Sequence, residues 1–310
     1  MLLSKNEIND LRNWDFNKEE VNKMDYETVI LEKQERIARI TLNRPEKLNA
    51  INDVMKADIE AALKEVERDP ELWVVIIRGS GRSFSAGQDA GGIGTSEVMS
   101  KDPRDRWYLS ELWELERNQL AWWQNIFSFP RYTIAEIHGH ALGWGCDLAM
   151  VCRTSIATED AVFGNPAIRA GFTTSNPLWT WKVGLRKAKE LLFTGKYIDG
   201  REAARIGLIT MAVPSDRLED EVNLAAEALI VGAPIGGFDE EAFSMGFGRT
   251  GFNIAGLATA WDYTSNIHAI SAIQRRGFAP GEYNFFVSRD EYGLTEAVKE
   301  RDRPFKELGF

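Results

Sequence analysis

The chain is poor in the residues that bind metals and cross-link secreted folds. It has three histidines and two cysteines in 310 residues. Cys146 and Cys152 show neither metal-type spacing nor the pattern of a disulfide framework. The expectation is no metal site and two reduced, buried thiols, as suits a cytosolic protein. Long apolar runs are missing too, and no window approaches the roughly 18 residues a bilayer-spanning helix needs. Positive charge is in deficit, with 37 Lys and Arg against 47 Asp and Glu. The resulting net charge of −10 argues against nucleic acid or an anionic membrane as a general partner. Met1–Lys23 is polar and lacks the apolar stretch of a signal peptide, so a cytoplasmic location is expected. There is no internal repeat and no low-complexity tract.

What is present is an alternation of strand and helix signals. Thr28–Leu31 and Ile37–Leu42 read as paired strands around the charged turn Glu32–Arg36, and Asn43-Arg44-Pro45 stops the second. Asp53–Arg68 carries Met55, Ile59, Ala62 and Val66 on one helical stripe. Trp73–Arg78 is nearly all apolar, as a strand buried on both faces would be. Asp102–Phe127 predicts a long helix, Thr133–His138 a strand, Cys146–Val151 a helix and Arg153–Ala157 a strand. Lys187–Phe193 and Gly200–Arg205 predict helices, and Leu208–Val213 a strand. Strands alternating with helices in this way indicate βαβ units. Ten tryptophans are many; five lie at Trp107–Trp123 and Trp144, where rings pack a core or line a pocket. The expected division is an extension over residues 1–25, a core over 26–225, and a C-terminal helical region over 226–310 with an extended segment.

Two small-residue loops follow expected strands. One is Ser83-Phe84-Ser85-Ala86-Gly87-Gln88-Asp89; the other is Gly139-His140-Ala141-Leu142-Gly143-Trp144-Gly145-Cys146-Asp147. Helix starts expose N–H groups with partial positive charge. Two such turns side by side can hold one anionic oxygen with backbone alone. Ordinary strand-to-helix turns look the same, and nothing in composition or periodicity ties one loop to the other.

Further segments turn these loops into a resemblance. Ala38–Ala50, with Asn43-Arg44-Pro45-Glu46-Lys47-Leu48-Asn49-Ala50, is followed by Phe84–Asp89, Ile137–Ala149, Ala161–Pro166, Leu192–Lys196 and Ala203–Ile209. Together they resemble the crotonase, or enoyl-CoA hydratase/isomerase, superfamily from about residue 27 to 215. Glu296–Phe305 also resembles that family's C-terminal helix. The resemblance implies an α/β fold, a crotonase-like ββα superhelical core with a C-terminal helical oligomerisation region. It implies an acyl-CoA thioester as substrate, with coenzyme A entering as part of that substrate and no separate cofactor. It implies homo-trimers or hexamers. The backbone N–H groups of Gln88 and Trp144 would form an oxyanion hole, Trp144 standing where the family usually has the middle of three glycines. The coenzyme A site would involve Lys47, Leu48, Ala50, Ala86 and Asp89.

The chain also departs from the family. Hydratases carry two glutamates. At the first place this chain has Asp147, one methylene shorter; at the second, after the Phe-Gly-X-Pro pattern, it has Ala167, which moves no proton. Eight residues later, where other members place an aspartate, it has Ser175. Asp147 is therefore the candidate acid or base, with the alternative that it merely caps or pairs near its helix start. His140 is a second candidate, suited to proton transfer near neutral pH. His138, Glu111, Glu114, Glu116 and Tyr283 are weaker ones. Three readings stay open: hydration, dehydration or isomerisation of an unsaturated acyl-CoA; hydrolysis or lysis of a C–C bond in a β-keto or cyclic substrate; and acyl-CoA binding without catalysis.

Overall fold

The computed structural model describes residues 22–89, 108–170, 177–230 and 285–307. Among these residues ten strands alternate with helices. β1 (Asn22–Asp25), β2 (Val29–Gln34), β3 (Ile37–Leu42), β4 (Val74–Gly79), β5 (Tyr132–Ile137), β7 (Thr154–Thr158) and β10 (Met211–Val213) form one sheet in that spatial order. β1, β2 and β3 are antiparallel neighbours; from β3 onward all pairs are parallel. β6 (His140–Leu142), β8 (Val162–Gly164) and β9 (Ile198–Asp199) make a second, smaller sheet.

β4 shows why a continuous apolar run becomes a central strand. Successive side chains leave on opposite faces, and both faces are covered. Val75 and Ile77 join the main core, while Val74 and Ile76 join a second cluster with Ile134, Ile156, Leu218, Val222 and Ala226. The last three sit on the helix of residues 218–230, which roofs that second face. Burying one such branched side chain stabilises by about 1.5–3 kcal/mol. Helix α1 (Asp53–Arg68) buries Met55, Ile59, Ala62, Leu63 and Val66 in the main core. Its start is fixed by Asn52, whose side chain accepts from Met55 N at 2.9 Å, a cap worth about 1 kcal/mol.

Helices α2 (Tyr108–Phe127), α3 (Trp144–Val151), α4 (Pro177–Thr194) and α5 (Gly200–Arg205) complete the central region. Three boundaries differ from expectation for local reasons. The turn after β2 sits at Glu35, whose φ is 55°, so the strand runs on to Gln34. The helix expected from Lys187 is the second half of α4, which breaks at Gly184 (φ 77°, ψ 157°). The strand expected from Leu208 begins only at Met211. Gly207 (φ 79°) ends α5, and Leu208 N still bonds Ala203 O. In addition, β1 lies within the stretch expected to be an extension, and the 218–230 helix runs across residue 225.

At the C-terminus α6 (Phe285–Tyr292) and α7 (Leu294–Glu307) pack on each other. α7 also packs on the 3-10 turn Pro166–Ala170. Among the described residues no helix is long and apolar enough to cross a membrane.

Candidate active site

The first loop is held by a buried asparagine. Leu48 and Asn49 both have left-handed backbone (φ 51° and 54°), where asparagine is among the tolerated residues. The Asn49 amide donates to Ser80 O (2.9 Å) and Ser83 O (2.7 Å), and its oxygen accepts from Arg44 N (2.9 Å). This ties residues 44–51 to the loop after β4. The two segments then run side by side: Ala86 N bonds Leu48 O, Ile51 N bonds Gly87 O, and Asp89 N bonds Ile51 O. Ser85 Oγ donates to Asn49 O and accepts from Gly87 N. Arg44 reaches Ala50 O (2.6 Å) and the Asp89 carboxylate (3.0 Å). Lys47, Leu48, Ala50, Ala86 and Asp89, expected around coenzyme A, are thus brought into one strip. Lys47 is exposed at its edge.

The pairing aims Gln88. Residues 87 and 89 face Ile51 with their carbonyl and amide, so the N–H of Gln88 points the opposite way. On that side lies the second loop. Ser85 N bonds His140 O, and Leu142 N bonds Ser85 O. Gly143 (φ 50°) turns the chain, spends its own N–H on Gly164 O, and leads into α3, whose first residue is Trp144. A methyl group on Gly87 would lie 2.5 Å from Leu142 O and 3.4 Å from Trp144 N; one on Gly145 would lie 2.5 Å from Ser85 O. Only glycine at 87 and 145 lets the loops approach this closely. Among the described residues the amides of Gln88 and Trp144 find no acceptor. Two free donors on touching loops can address one oxygen.

The Trp144 indole packs back on the protein. It meets Trp123 edge-on (centroids 5.9 Å apart, planes at 90°), and Lys56 Nζ lies 5.5 Å over its ring. Trp123 in turn meets Trp122 at 4.4 Å. Asp147 lies in the first turn of α3, 3% exposed, and its Oδ1 accepts from Nε1 of the fully buried Trp179 on α4 at 3.0 Å. Sequence reasoning missed Trp179, because no spacing links it to a carboxylate 32 positions away.

The two candidate histidines meet the loop after β4. His140 is exposed, with Nδ1 3.1 Å from Ser83 Oγ; His138 Nε2 lies 2.9 Å from Gly81 O. Ala167 sits in the Pro166–Ala170 turn, its N–H bonded to Asn165 Oδ1. Glu114 on α2 is exposed. Ser175, Tyr283 and the side chains of Glu111 and Glu116 lie outside the described residues. Both cysteines are free and buried. Burial pushes the Cys152 thiol up to about 12, and burial together with the Asp147 charge pushes Cys146 well up. Neither supplies a thiolate near neutral pH.

Comparison with known proteins bears on this geometry. The family profile described as enoyl-CoA hydratase/isomerase matches residues 32–236. A probable enoyl-CoA hydratase of Rhizobium meliloti (strain 1021) is 38% identical over 209 residues, 66% of this chain and 76% of that protein. A crotonyl-CoA hydratase of Syntrophomonas wolfei is 34% identical over 216 residues, 67% of this chain and 77% of that one. The crystal structure of an enoyl-CoA hydratase from Mycobacterium smegmatis matches with TM-score 0.77 and 28% identity, covering 90% of this chain and 94% of that one. A seven-stranded sheet with its small satellite, two abutting glycine loops and these matches together make the chain a crotonase-fold member of the enoyl-CoA hydratase/isomerase family of enzymes.

Proposed function

We propose that the protein adds water reversibly to the double bond of an enoyl-CoA, holding the thioester oxygen between the N–H groups of Gln88 and Trp144. The observation that carries this reading is a pair of amides, without an acceptor among the described residues, on loops that touch through Gly87. As a water oxygen bonds the β-carbon, the C=C pair moves to the α-carbon and the carbonyl, and charge builds on the thioester oxygen. Donors fixed in advance stabilise that charge without reorganising, each worth about 10²–10³ in rate. The water's proton goes to Asp147, and a proton is delivered to the α-carbon, so the sum is one water added. With alanine at 167, Asp147 is the carboxylate left for both transfers. Residues 47–50 and 86–89 receive the coenzyme A, with Lys47 as a point charge for its phosphates.

The test is mass spectrometry of a panel of enoyl-, dienoyl- and cyclic oxoacyl-CoAs after incubation with the protein. A gain of one water with the carbon skeleton intact is expected, and Asp147→Asn should slow it by about 10² or more. A specific observation favours one rival: Ala167 removes the group that hydratases use as second acid, as C–C bond hydrolysis would permit. Chain cleavage or ring opening in the panel replaces the first reading by that one. Binding without turnover sinks both.

A further inference from the structure

Asp147 and Trp179 come from α3 and α4, which pack on each other, and both side chains are buried. A buried carboxylate is costly unless hydrogen-bonded. An indole N–H is a donor only, so it has nothing to offer a carboxyl O–H and everything to offer a carboxylate. Bonds to an ionised acceptor are about twice as strong as neutral ones. The first turn of α3 adds its dipole in the same sense. A side chain as large as tryptophan, without exposure, also has no freedom to swing, so the oxygen it holds is fixed in place.

We propose that Trp179 is the positioning residue of the site: its N–H clamps Oδ1 of Asp147 and keeps that group ionised. The inference rests on the acid–base reading of Asp147 given above. It makes Asp147 a base in the resting enzyme, an acid only after it has taken the water's proton.

Among the described residues, the titratable groups on the neighbouring elements do not oppose this assignment. Cys146 beside it stays a neutral thiol. Glu136 on β5 lies on the opposite face of the sheet, with Ile134 and away from Ala135 and Ile137. His140 on β6 is held at Ser83. Glu114 on α2 is exposed, as is its neighbour Arg117, and Lys182 on α4 acts on Cys152.

Two variants test it: Trp179→Phe, and replacement of Trp179 by benzothienylalanine, which keeps the bicycle and drops only the N–H. Two readouts apply: the pH profile of crotonyl-CoA hydration, and ¹³C NMR titration of the Asp147 carboxyl, assigned with Asp147→Asn. We expect kcat to fall roughly 10- to 100-fold with KM little changed. The acid limb of the profile and the carboxyl titration should both move up by about one pH unit or more. If the benzothienyl protein titrates as the wild type does, the clamp is overturned, even where Asp147→Asn is inactive and the acid–base reading stands. If Asp147→Asn keeps the wild-type rate, that reading has failed by itself, and the carboxyl titration alone then decides whether Trp179 holds the charge.

Discussion

Asn49 concentrates much of the site's architecture in one side chain. Its two donors and one acceptor satisfy three main-chain groups, one in a buried bond and two in part-buried ones, and its own backbone is left-handed. Asn49→Ala removes all three bonds and puts a Cβ residue without a local partner at φ 54°. Leaving buried backbone groups unpaired costs about 1–3 kcal/mol each before relaxation. A net loss on the order of 3 kcal/mol is expected, seen as a lower urea midpoint at unchanged slope. Hydration activity should fall with it, because Ala86–Asp89 hangs on this knot. A midpoint within experimental scatter of the wild type would show that the loop is fixed by the strip pairing alone. In the sequence, Asn49 was visible as part of a family motif, while its work was not. The partners lie 31 and 34 positions away, and no periodicity reports bonds of that span. Trp179 was hidden for the same reason. Gln88, Trp144 and Asp147 were singled out through the family resemblance, not through any period; the structure brings the Gln88 and Trp144 loops together at Gly87 and sets Asp147 in the first turn of α3.

Among the elements, those read best were the ones with a single dominant period. α1 falls where its stripe of Met55, Ile59, Ala62 and Val66 put it, and β4 is buried on both faces as its apolar run requires. Short strands such as β6, β8 and β9, two or three residues each, carry no period to read. The second face of the large sheet holds a feature no pattern announced. Glu136 lies in register beside Arg78, under the 218–230 helix. Burial pushes its carboxyl above the usual range, and Glu219 adds to this, while Arg78 and Arg39 pull the other way. The folded chain therefore holds this proton to a higher pH than the unfolded chain does. Its contribution to stability is full below the ordinary carboxylate range and is lost as pH rises through the raised value. Glu136→Gln removes that dependence. Comparing chemical denaturation of the two proteins from acid to neutral pH, the stability difference should shift steadily in favour of the glutamine variant and then level off. A shift the other way would mean that the arginines outweigh burial.

For the molecule as a whole, the open question is what joins the C-terminal helices to the catalytic body. α7 was foreseen at Glu296–Phe305 and spans Leu294–Glu307, but sequence offered no account of what it grips. The structure has it closing on the turn that carries Ala167. Arg169, its side chain 1% exposed, meets Asp302 of α7 at 3.4 Å, stacks over Tyr197 at 4.4 Å and donates to Gly195 O. Arg301 braces the same aspartate at 2.8 Å, and Ala297 of α7 is fully buried. One carboxylate thus links α7 to a turn 133 residues earlier. Breaking a buried pair by deleting one member costs about 3 kcal/mol or more, because the remaining charge stays behind without its partner. Asp302→Ala should therefore release α7 first and the core only later, since the large sheet does not depend on it. Hydrogen exchange resolved by peptide is the measurement. Residues 294–307 should lose protection strongly, the Pro166–Ala170 turn less so, and β3 to β5 hardly at all. The double variant Arg169→Met with Asp302→Leu, which removes both charges and keeps volume, should restore much of the protection. If the single variant loses protection evenly over sheet and helix, the C-terminal helices fold as one cooperative unit with the core, and the tether drawn here is not a separable one.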